Sequence, residues 1–103
     1  MDENETNELN IERVMRMVQG ETLKHIRDRM ILALLFCGVP VSKIVDMMVG
    51  DRVPVDADPF VKDWLQVSGI QDGHLVRAIN KGGGVGSKMT QQAVYKMLWQ
   101  IND

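Results

Sequence analysis

The stretch from Lys81 to Lys88 is the part of the chain best suited to holding a phosphate. Gly82, Gly83, Gly84 and Gly86 lie between two lysines, and Ser87 and Thr90 flank the second of them. A nucleotide-binding P-loop needs Lys directly after its last Gly and Ser or Thr directly after that Lys, so that amine and hydroxyl both reach the phosphates and magnesium. Here Ser87 intervenes and Met89 follows Lys88. No strand is expected ahead of the loop either, so it reads as a flexible connector and no nucleotide partner is expected. His25 and His74 stand alone, and the single Cys37 cannot complete a zinc site with them. Asp51, Asp56 and Asp58 lack the spacing of a calcium loop and read as solvated loop acids. No metal and no cofactor is expected. Tyr95, the only tyrosine, stands beside Lys96 and reads as an amphipathic surface residue.

Charge narrows the choice of partner. The net charge is −2 but unevenly spread. Residues 1–12 carry Asp2, Glu3, Glu5, Glu8 and Glu12 with no base, which reads as a solvated leader. Residues 71–103 carry Arg77, Lys81, Lys88 and Lys96 against Asp72 and Asp103. That third is basic enough for phosphate contacts without demanding them. One cysteine excludes an internal disulfide framework. The acidic N-terminus is no signal peptide, and no apolar run approaches a membrane span, so a cytoplasmic protein with no membrane partner is expected.

The elements that must position these groups follow from apolar spacing. At 103 residues and 45% apolar content the chain affords one small domain with a real core. Its eight methionines read as core filler. Every residue from Met30 to Cys37 is apolar, and Leu23, Ile26 and Met30 precede at helical spacing. This predicts a central helix from Thr22 to Cys37, capped by Thr22 and closed by Gly38, which the rest of the chain must surround. Ile11, Val14, Met15 and Val18 predict a helix before it, capped at Asn7 or Asn10 and ended by Gly20. After the Gly38–Pro40 turn a second short helix is expected over 41–49, with Ile44, Val45, Met47 and Met48 inward. Residues 51–59, with two prolines, read as a loop. Asp58 at the cap and Pro59 in the first turn start a helix carrying Phe60, Val61, Trp64 and Leu65, which ends near Gly69. Residues 72–79 read as a turn or one or two helical turns. Thr90 caps a last helix to about Ile101, with Ala93, Val94, Met97, Leu98 and Ile101 on one face. No strand is expected. Helix, Gly-containing turn, helix also describes a helix-turn-helix. But residues 41–49 offer only Ser42, Lys43 and Asp46 as polar groups, a poor reader of base edges.

Two blocks resemble the catalytic domain of the tyrosine recombinase (phage integrase) family. Arg27 to Ile44 resembles that family's Arg-Asp-Arg, apolar helix and Thr-Gly-Leu-Arg-x-Ser-Glu-Leu sequence. Gly50 and Asp51 fall where its Ser-Asp pair leads to a first strand. Val61 to Gly86 resembles its segment of helix, small residues, Gly-x-Leu-Phe and basic loop. Ser87 to Leu98 resembles the Leu-Thr and helix that follow. Together the blocks span most of residues 8–101. The implied fold class is all-α: a compact single-domain bundle of about five helices around the buried central helix. It would be the family's helical part without its β-hairpin, over residues 8–103, after a disordered acidic leader at 1–7.

The departures decide the implied function. The family's first catalytic Arg aligns with Pro40, and its neighbouring Glu with Lys43. Where the hairpin bearing a catalytic Lys would lie, only the loop 51–59 is present. The His-x-x-Arg-His box and the nucleophilic Tyr have no counterpart, and Tyr95 belongs to a helix upstream of them. Each lost charge would cost several kcal/mol of transition-state stabilisation, so no enzyme is expected. What the resemblance implies is a DNA surface: Arg77, Lys81, Ser87, Lys88, Thr90, Gln91, Gln92, Tyr95 and Lys96. The lysines and arginine would meet phosphates, and Thr90 with the helix N-terminus would donate to a phosphate oxygen. With about four phosphate contacts the log–log salt slope would be roughly −3 to −4. The expected function is therefore a catalytically inactive, recombinase-like DNA-binding protein, an accessory or regulator of integration or recombination. The alternative is a protein-interaction module that docks on a full-length recombinase or on itself without needing DNA.

Overall fold

The computed structural model describes residues 11–102, so the acidic leader and the caps at Asn7 or Asn10 lie outside the described residues. The first helix, α1, covers residues 11–17 and puts Val14 into the core, and Val18, just past its end, is buried beside it. Gly20 then turns the chain at φ +126, pressed against His25, where a Cβ would sit 2.4 Å from the imidazole Nδ1. Arg29 secures this corner from within: its Nη1 donates to the carbonyls of Val18 (3.0 Å) and Gly20 (2.8 Å).

Helix α2 (Leu23–Phe36) is the centre of the molecule. The Thr22 hydroxyl caps it, accepting from the His25 N–H. Its nine residues from Ile26 to Leu34 are all buried. Gly38 at φ +91 closes it. The N–H groups of Gly38 and Val39 donate back to the carbonyls of Leu35 (2.9 Å) and Leu34 (3.0 Å), the Schellman pattern for which a left-handed glycine is best suited.

The second short helix is shorter than its apolar spacing predicts. Helix α3 (Val41–Ile44) makes a single turn, with Pro40 at its N-cap position. Residues 47–49 then run beside 73–75: Leu75 N–H donates to the Met47 carbonyl (2.9 Å) and Val49 N–H to that of Gly73 (2.8 Å). The Asp51 carboxylate takes the Met48 N–H. The partner segment satisfies backbone groups that a continued helix would have satisfied internally. Met47 is therefore buried as expected, whereas Met48 turns outward.

Helix α4 (Asp58–Ser68) packs chiefly on α2. Pro59 sits in its first turn, and Gly69 at φ +73 ends it. Asp58 is the first helical residue rather than the cap, a position taken by buried Ala57. Trp64 is fully buried and donates its indole N–H to the Leu75 carbonyl at 2.8 Å, so burying the ring leaves no orphan donor.

The fold is mostly helical, with five helices among the described residues, but it is not all-α. Strands β1 (Arg77–Ile79) and β2 (Val85–Lys88) form an antiparallel hairpin. It occupies residues for which a short turn and a flexible connector are expected from the sequence. Arg77 pairs with Lys88 and Ile79 with Val85, so Gly86 and Ser87 together oppose Ala78 in a β-bulge. Asn80 exchanges backbone bonds with Gly83 and Gly84 at 2.8 Å each, and Gly83 takes φ +89. Three successive glycines disfavour helix and allow this tight reversal, while Leu75 and Val76, both buried, anchor the hairpin to the core. Helix α5 (Gln91–Asn102) completes the domain, burying Val94 and Met97. No helix among the described residues is long and apolar enough to cross a membrane.

Candidate nucleic-acid interface

The hairpin and α5 are one continuous segment, and together they place the nine residues expected to meet DNA. Lys81 is exposed in the hairpin turn, and Ser87 and Lys88 are exposed on β2. The Thr90 hydroxyl caps α5, accepting from the Ala93 N–H at 3.1 Å. Gln91, Gln92, Tyr95 and Lys96 are exposed along that helix. They stay outside because the apolar stripe of Val94, Met97, Leu98 and Ile101 faces the core, which leaves the opposite side to solvent.

Arg77 is placed differently from the other eight. Its guanidinium is half-buried and lies against backbone: Nε donates to the His74 carbonyl (2.7 Å), Nη2 to that of Asp72 (2.9 Å) and Nη1 to that of Gly86 (3.3 Å). Gly73 leaves room for it, since a Cβ there would lie 2.9 Å from Nη2. In this arrangement Arg77 ties the base of the hairpin to the preceding turn and positions Lys88 rather than reaching outward.

Lys88 has an acidic neighbour that sequence spacing could not show. Its Nζ lies 2.7 Å from Asp46 Oδ1, linking β2 to the turn after α3. The hydrogen bond and charge of Lys88 hold the Asp46 carboxyl below the ordinary carboxylate range. Both groups are solvent-exposed, so the pair contributes little to stability.

The wider segment is uniformly basic. From Gly73 to Asn102 the chain contains Arg77, Lys81, Lys88 and Lys96 and no Asp or Glu. Trp99, absent from the sequence-based set, is 76% exposed on the same side of α5 as Gln92, Tyr95 and Lys96. Its signal was available: positions 92, 95, 96 and 99 follow the helical i, i+3, i+4, i+7 spacing outside the apolar stripe.

Three charged residues on α2 lie inside. Arg27, Asp28 and Arg29 are each more than nine-tenths buried. Arg27 donates through Nε (3.0 Å) and Nη2 (2.8 Å) to one oxygen of Asp28, and through Nη1 to the Arg77 carbonyl (3.3 Å). The Arg-Asp-Arg run thus joins α2 to the base of the hairpin on one side and to the α1 corner on the other. Burial pushes the Asp28 carboxyl up, against the lowering effect of Arg27. Cys37 is half-buried, and burial followed by the Asp56 charge raises its thiol, which does not suit a nucleophile. No family model, curated protein or solved structure matches the chain.

Proposed function

We propose that this chain is a catalytically inactive, recombinase-like DNA-binding protein that acts in the cytoplasm as an accessory or regulator of DNA integration or recombination. The observation that carries the reading is the segment from Gly73 to Asn102, with bases, no acids, and Lys81, Lys88 and Lys96 all exposed. Such a surface meets the phosphate backbone and carries little sequence information, so binding is weak and largely non-specific. Pro40 stands where the resembled family has its first catalytic Arg, and its role here is to start a one-turn helix. Strand cleavage by the chain alone is not part of the reading. A covalent protein–DNA adduct formed by the isolated chain would overturn that.

The test is fluorescence anisotropy with a generic duplex across a salt series. With three outward lysines the log–log slope is expected near −3. Reversing Lys81, Lys88 and Lys96 to Glu is expected to abolish binding while leaving the circular dichroism spectrum unchanged. No binding at low salt would remove the reading. The second reading, a module that docks on a full-length recombinase or on itself, is favoured by exposed apolar side chains, among them Met15, Met48 and Val55. Charge reversal would leave that association intact.

A further inference from the structure

Tyr95 and Trp99 are exposed by 51% and 76%, although both are ring systems that proteins ordinarily cover. They lie one helical turn apart on α5, with a rise of about 6 Å between them. Lys96 and Gln92 complete the same face. The other exposed residues described on α5 are Gln91, Gln92, Lys96 and Gln100, three amides and an amine, and α5 contains no acid. A surface of aromatic rings interleaved with positive charge complements a strand that offers both a base face and a phosphate. Bases stacked in a duplex are about 3.4 Å apart and closed to flat contact from outside. Two aromatic residues separated by a rise of about 6 Å along the helix axis instead suit successive bases that have been drawn apart.

We propose that the Gln92–Tyr95–Lys96–Trp99 face of α5 binds unpaired DNA, with Tyr95 and Trp99 each stacking on a base and Lys96 meeting the phosphate between them. This rests on the DNA-binding reading above and names the form of DNA that the surface prefers. Gln92, one turn before Lys96, is placed to hydrogen-bond a base edge without selecting one base over another.

The whole chain can be tested with an oligothymidine 12-mer and a 12-base-pair duplex of mixed sequence, followed by anisotropy and by tryptophan emission. Trp64 is fully buried, so quenching by a stacked base reports on Trp99. The 12-mer is expected to bind at least tenfold more tightly than the duplex and to quench the exposed emission. Tyr95→Ala and Trp99→Ala are each expected to weaken binding of the 12-mer about five- to hundred-fold. Each should weaken duplex binding far less than 12-mer binding, and Trp99→Phe should retain most of the binding. Duplex affinity equal to or above that of the 12-mer would overturn the proposal, as would unchanged 12-mer affinity on Trp99→Ala. A Trp99-dependent dimer in sedimentation would assign the face to a second copy and also overturn it. The two readings fail separately. Duplex binding that vanishes on lysine reversal, with Trp99→Ala silent, sinks stacking alone, whereas absence of binding to either probe sinks both.

Discussion

Arg27 and Asp28 are opposite charges held inside the helix that the rest of the chain covers. Taking both out of water costs several kcal/mol per ion, which their attraction need not recover. Removing only one leaves the other uncompensated. Asp28→Ala is therefore expected to lower unfolding free energy by about 3–5 kcal/mol in urea denaturation, and Arg27→Met with Asp28→Leu by much less. The pH dependence has a definite sign. Burial raises the folded-state value of Asp28 above 3.8, so the folded chain binds more protons than the unfolded one between the two values. The proton-linked part of the stability that Asp28 contributes is complete below pH 3.8 and is lost as pH rises through the folded value. Compared with Asp28→Asn over that window, the wild type should lose stability with rising pH. Asp46 runs the other way: its lowered value makes its contribution present above pH 3.8 and lost on acidification.

At the scale of elements, the hairpin and α5 depend on local devices that can be removed singly. Thr90 caps α5 through the Ala93 N–H. Thr90→Ala should cost about 1 kcal/mol in denaturant unfolding, and Thr90→Ser should restore most of it. Most helices were legible in the sequence because each carries its own stop or start signal: Gly20, Thr22, Gly38, Pro59, Gly69 and Thr90 act where their residue types predict. The hairpin was not. Arg77 to Ile79 and Val85 to Lys88 are too short for a periodicity to declare itself, and the glycines between them signal only a break. The end of α3 was hidden for a related reason. Val45 to Val49 fit a helix by spacing, and only the segment 73–75, distant in sequence, offers the backbone bonds that favour the extended alternative.

Across the whole molecule, the electrostatic balance of the basic segment depends on what lies beside it. Asp46 sits against Lys88, so neutralising that acid should strengthen phosphate contact. Asp46→Asn is expected to raise duplex affinity several-fold at low salt, with the gain shrinking as salt screens it, measurable in the same anisotropy series. The candidate surface was partly legible. Lys81, Ser87, Lys88, Thr90, Gln91, Gln92, Tyr95 and Lys96 lie at exposed positions of one continuous segment, because the apolar stripe of α5 determines its outward face. By itself the sequence determined the central helix with its Thr22 cap, the breaks and a run of bases with no acid among them, all of which depend on neighbours within a few residues. Tertiary structure alone decided that Arg77 turns inward onto three carbonyls, that Arg27 and Asp28 pair inside the core, and that Asp46 meets Lys88. Those outcomes depend on which distant backbone and charge are brought within hydrogen-bond reach, a property of packing that no local pattern encodes.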